Sequence, residues 1–230
     1  MDGVAVAIAV VFALVGMGVL AGRRMVARAV LWVCVAAGAI GGVIAREGAH
    51  LAWEWVSPVG ALYRSVAATP AQTMLAAAIG ELVKATVPLA LVGVVPSDGV
   101  AAMAYGAGAG AGFAVVITHL EQGLAGALRL VGSPITTPLT TVLAVTGYLF
   151  PVLLHTGTTA YVARAGVRGG LGAAFLLAWA LQVASGLAAR LPLVGGIPVG
   201  RALGAALAVA LVTVLWRVRL RAERPAVAVD

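Results

Sequence analysis

Once helix ends and loops are discounted, five residues that can exchange a proton or bind a metal ion are left within the apolar sequence: Glu81, Lys84, His119, Glu121 and His155. Lys84 is the only lysine among 230 residues. It follows Glu81 by three positions, a spacing that brings two side chains together on one face of a helix. Imidazole nitrogens and carboxylates can hold Zn²⁺ and still leave one position for water. The metal would then activate that water and polarise a carbonyl group. Without a metal, a glutamate–histidine pair can take a proton from water as a general base. Both routes lead to hydrolysis. A plainer use stands beside them: opposite charges three residues apart lower the cost of burying either one, and Glu81 and Lys84 could form a structural brace.

The elements that must position these residues follow from composition. Of the chain, 62% is hydrophobic and 10% charged, with a mean hydropathy of +1.08, whereas soluble domains carry about a quarter charged residues. Seven apolar stretches, near 3–22, 26–45, 71–95, 99–128, 141–164, 169–189 and 196–216, are long enough to span a bilayer. The expected fold is all-α, a polytopic membrane bundle of about seven transmembrane helices forming a single integral domain over residues 1–230. The net charge of +7 is spread over the ends of apolar segments. That pattern marks topology and excludes a nucleic-acid partner; membrane lipid is the partner it implies. Cys34, the single cysteine, excludes an intrachain disulfide. The first arginines, Arg23 and Arg24, follow the first apolar run and do not precede it, which reads as a retained helix and not a cleaved signal.

Residues 46–70 break the pattern. Arg46, His50 and Glu54 recur every fourth residue beside Trp53, Trp55 and Tyr63, which suits either an interfacial helix at headgroup level or a connecting loop. Orientation follows from the arginines. One set of helix ends carries nine (Arg23, Arg24, Arg28, Arg164, Arg168, Arg217, Arg219, Arg221 and Arg224) and the other five (Arg46, Arg64, Arg129, Arg190 and Arg201). The positive-inside rule then puts the N-terminus outside and the C-terminus in the cytoplasm, for a multi-pass protein of the cytoplasmic membrane.

Ionisable side chains within a bilayer mark functional sites by default. Counting about 1.5 Å per residue from the ends of the expected helices places Glu81, His119 and His155 each roughly 14–15 Å deep. The three would meet near mid-membrane. Glu121, two residues after His119, points elsewhere on the helix and is a reserve carboxylate. In "HTGTTAY" (155–161), Thr159 shares a face with His155 and could orient it. The glycine run "YGAGAGAGFA" (105–114) lacks the strand that a dinucleotide-binding loop requires. Its pairs Gly106/Gly110 and Gly108/Gly112 instead allow neighbours to approach two sides of one helix closely.

Three of these segments, in this order, resemble the PrsW-type intramembrane peptidases of the CAAX-protease and bacteriocin-processing superfamily, and also the YhfC-type putative membrane peptidases. "GELVK" (80–84) is similar to the family's EExxK signature, "YGAGAGAGF" (105–113) to its tyrosine-glycine to glycine-phenylalanine helix, and "LLHTGTTAYVARAG" (153–166) to its later histidine helix. The resemblance covers about residues 70–165. It implies cleavage of a peptide bond in or next to the membrane, with a membrane-embedded or membrane-proximal peptide as substrate. In that scheme the catalytic residues are Glu81, which activates water or binds a metal, His119 and His155, which are ligands or proton-transfer groups, and Lys84, which holds Glu81 or stabilises developing negative charge. Glu81, His119, His155 and the reserve carboxylate Glu121 are the candidate ligands for a Zn²⁺ ion. The chain departs from the pattern at Gly80, where the family has a first glutamate, and at Ile117 and Thr118, where PrsW has Glu-Asn. Two other readings stand beside the peptidase: a transporter or channel component using the same residues as an ion relay, and a catalytically inactive scaffold.

Overall fold

The computed structural model describes residues 2–22, 28–56, 69–95, 97–120, 138–188 and 199–223. They form seven α-helices: α1 (Asp2–Ala21), α2 (Ala29–Val56), α3 (Pro70–Val94), α4 (Gly99–Leu120), α5 (Pro138–Arg168), α6 (Leu171–Ala188) and α7 (Val199–Glu223), with no strand among the described residues. Five of them, α2, α3, α4, α6 and α7, are long and apolar enough to cross a membrane. The outer surface is apolar, with Val11, Ile40, Leu82 and Leu176 each more than half exposed. The charged Glu81 and Lys84 are buried. Such a distribution suits hydrocarbon as the solvent, because exposed aliphatic groups are at home there and charges are not.

The helix ends have local causes. Thr69 caps α3: its hydroxyl accepts from the Gln72 backbone N–H at 3.2 Å while the Gln72 side chain accepts from the Thr69 N–H, and Pro70 opens the first turn. This reciprocal cap fixes the start of α3 and with it the register of Glu81 and Lys84. Asp98 caps α4 through Val100 N–H at 2.9 Å and Ala101 N–H at 2.7 Å. The turn into α6 passes through Gly169 and Gly170, with φ of 91° and 85°, a region that side chains disfavour. The second helix runs on to Val56. Arg46, His50, Trp53 and Glu54 therefore belong to α2 itself and not to a separate interfacial helix; residues 57–68, with Tyr63, lie outside the described residues.

Helix α4 is the axis of the bundle. Ala102, Met103, Ala104, Ala107, Ala109 and Ala114 are wholly buried. Its glycines face two neighbours, as their spacing predicts. A Cβ on Gly110 would lie 2.5 Å from the His155 carbonyl of α5, and one on Gly106 would strike the Thr159 carbonyl of the same helix. On the other side, a Cβ on Gly108 would meet Leu31 and one on Gly112 the Val35 carbonyl, both of α2; Gly38 of α2 reciprocates against the Ala109 carbonyl. Backbones this close gain van der Waals contact that larger side chains would prevent.

The contacts also show that helices meet end to end in alternating directions. Gly99, at the start of α4, faces Arg168, at the end of α5. The ends of α1 and α7 meet where the Arg219 guanidinium donates to the Val19 carbonyl at 2.6 Å and to Gly18 at 3.5 Å. Gly22, at φ 76°, terminates α1 beneath the same arginine.

Candidate functional site

The inner face of α3 carries Gly80, Glu81, Lys84, Ala85 and Pro88, all buried, while Leu82 faces outward. This is one stripe of a 3.6-residue period, and its charged members are 1% exposed. The Lys84 ammonium forms an ion pair with Glu81 Oε1. It also donates to His155 Nδ1 at 3.1 Å and to Thr158 Oγ1 at 3.1 Å, both on α5. An ammonium has three N–H donors, and these three acceptors satisfy all of them. The only lysine of the chain is thus fully hydrogen-bonded in an apolar bundle, as a buried charge requires.

The remaining groups close the cluster. From α6, Gln182 Nε2 lies 3.1 Å from His155 Nδ1 and 3.3 Å from Thr158 Oγ1. From α4, the Phe113 ring packs on the imidazole with centroids 5.2 Å apart and lies 5.5 Å from Lys84 Nζ, within reach of a cation–π attraction. The Thr158 hydroxyl sits 3.4 Å from Glu81 Oε1 and 3.3 Å from the His155 carbonyl, so its single proton can serve either. Glu81 Oε2 is buried and has no hydrogen-bond partner among the described residues. The centre therefore contains a carboxylate oxygen with free lone pairs, a cation and an imidazole, drawn from α3 and α5 and enclosed by α4 and α6.

Of the residues singled out in the sequence, Glu81, Lys84 and His155 come together. The backbone of His119 does not share their level. Helix α4 meets His155 at Gly110, and His119 stands nine residues further on, about 13 Å along the helix axis. Glu121 lies outside the described residues. The hydroxyl that reaches the cluster is Thr158 and not Thr159, which donates to the His155 carbonyl at 2.8 Å. Gln182 was not expected; its signal in the sequence is that it is the only side-chain amide in α6.

Of the four residues expected to hold Zn²⁺, Glu81 and His155 meet here, whereas the side chain of His119 and all of Glu121 lie outside the described residues. Among the described residues, no three His, Cys, Asp or Glu side chains gather closely enough to hold a metal ion. Glu81 and His155 are bridged by Lys84, which holds Glu81 Oε1 and His155 Nδ1 and leaves Glu81 Oε2 without a partner among the described residues.

Compared with models of known protein families, with curated proteins and with solved structures, the chain matches none.

Proposed function

We infer that this membrane protein is a glutamate-dependent peptidase acting on a peptide bond in or next to the bilayer. One observation carries the reading. The three segments that resemble the PrsW/YhfC-type peptidases, at 80–84, 105–113 and 153–166, converge on one buried centre through Glu81 and Lys84, Phe113, and His155. In the reaction, Glu81 Oε2 takes a proton from water, and the resulting hydroxide attacks the carbonyl carbon. The carbonyl oxygen becomes negative beside the Lys84 ammonium. The Glu81 carboxylic acid then returns its proton to the leaving amine as the C–N bond breaks. His155, held through Nδ1, keeps Lys84 in position and can pass a proton from Nε2. Gly80 leaves Glu81 as the sole carboxylate of its motif. A side chain at position 80 would meet Phe113 at 3.4 Å, an ordinary contact, so packing does not dictate the glycine.

Purified protein reconstituted in liposomes with quenched-fluorescence peptides, each a single hydrophobic helix with small residues at its centre, tests this reading. The wild type should cleave, and Glu81→Gln should lose on the order of 100-fold or more, the scale of a general base. Equal cleavage by the two proteins, or cleavage by neither, sinks the peptidase.

A second reading is favoured by the hydrogen-bonded path Glu81–Lys84–His155, which links α3 to α5. Such a path can relay protons. Proton flux into the same liposomes, abolished by His155→Ala, would select the relay. A scaffold would show neither activity.

The arginine-rich helix ends support a protein of the cytoplasmic membrane with its N-terminus outside and its C-terminus in the cytoplasm. A membrane-impermeant thiol reagent applied from outside should label Trp55→Cys and spare Gly169→Cys; the converse pattern reverses the orientation.

A further inference from the structure

Gln182 and Lys84 aim their donors at the same two atoms. Lys84 Nζ is 3.1 Å from His155 Nδ1 and 3.1 Å from Thr158 Oγ1, and Gln182 Nε2 is 3.1 Å and 3.3 Å from the same pair. One donor comes from α3 and is charged; the other comes from α6 and is neutral. The Thr158 oxygen has two lone pairs and can accept from both while donating its own proton to Glu81 or to the His155 carbonyl. Nδ1 has a single lone pair, which the two N–H groups share. With two donors facing it, Nδ1 carries no proton, and the imidazole is the Nε2–H tautomer. The reverse orientation of the Gln182 amide would set its oxygen against the lone pair that Lys84 uses, so the donor orientation is the one consistent with the network.

Lys84 alone already satisfies His155 and Thr158, so the second donor needs a reason. An ammonium bound to three protein acceptors has no N–H left for a substrate. For Lys84 to turn toward a negatively charged oxygen, it must release one or both acceptors on α5. Releasing them without replacement would leave a buried imidazole nitrogen unpaired and let the ring turn or change tautomer, at the loss of a hydrogen bond to a charged group. We propose that Gln182 is a positioning residue that holds His155 Nδ1 and Thr158 Oγ1 in place when the Lys84 ammonium leaves them for a substrate oxygen. Gln182 acts as a neutral stand-in for the lysine. The substrate oxygen rests on the peptidase reading; the redundancy of donors does not.

Selective ¹⁵N-histidine labelling and solid-state NMR in liposomes test the redundancy without any assay of activity, the His155 signals being those lost in His155→Asn. The wild type should show protonated Nε2 and unprotonated Nδ1. A variant carrying Glu81→Gln with Lys84→Met, which leaves no charge alone, should keep this tautomer because Gln182 still donates. Adding Gln182→Met should convert it to a mixture. In an otherwise wild-type chain, Gln182→Met retains every charge and should shift the Nδ1 resonance toward that of an imidazole nitrogen with fewer hydrogen bonds. A residue that merely fills space would move neither signal, so an unmoved Nδ1 resonance in the single variant overturns the proposal, as does a wild-type His155 protonated on Nδ1. A shifted resonance together with absent peptide cleavage would uphold the role of Gln182 while removing the peptidase.

Discussion

Lys84→Met should destabilise the protein far more than the double change Glu81→Gln with Lys84→Met. The single substitution leaves the Glu81 carboxylate 1% exposed and without its ammonium partner, the situation in which breaking a buried pair costs about 3–5 kcal/mol. The double variant removes both charges and keeps Thr158 available to the new amide, so most of that loss should be recovered. Unfolding in detergent micelles, followed by circular dichroism, gives the four corners of the cycle. Additive effects would mean that the two side chains do not share an environment, contrary to the ion pair. The cycle separates the stability of the centre from its chemistry, because Glu81→Gln abolishes a general base whether or not the fold tolerates it.

Gly112→Ala should be the most disruptive single-methyl change in the bundle. The added Cβ would strike the Val35 carbonyl, a backbone atom that cannot rotate aside, and α2 and α4 would have to part. Overpacking of this kind costs about 1–3 kcal/mol in well-packed interiors, and here the separation would also move Phe113, the next residue, off His155 and Lys84. Gly38→Ala should behave alike from the opposite helix. Gly18→Ala is the control: a Cβ there meets nothing within 4 Å, and removing a glycine from a helix should stabilise it by about 0.5–1 kcal/mol. The same unfolding measurement applies, and a neutral Gly112→Ala would show that the α2–α4 contact is looser than these distances.

Much of this was legible in the sequence because hydrocarbon imposes simple rules. Apolar runs of spanning length had to become helices, and glycines four apart had to mark two close faces of α4. A glutamate and lysine three apart had to meet if they were buried. Less was legible where rotation or neutral polarity decides. Thr158 and Thr159 differ by about 100° around α5, and only packing tells which one faces the cluster. A count from the ends of the expected helices gives His119 the depth of Glu81, yet the contact between Gly110 and His155 sets the level of α4, and such a count carries no register between helices. Gln182 carries no charge, so an inventory of ionisable residues passes over it, although a side-chain amide in an otherwise apolar helix also needs a partner.

The grip of Arg219 on Val19 and Gly18 joins residues 200 and 201 positions apart in the chain. Met17 and Leu20, beside that grip, are buried, and Leu20 packs with Leu215 of α7. During synthesis, therefore, α1 enters the membrane long before the helix that completes its end. Until α7 arrives, its last carbonyls and its inner residues lack their partners on that helix.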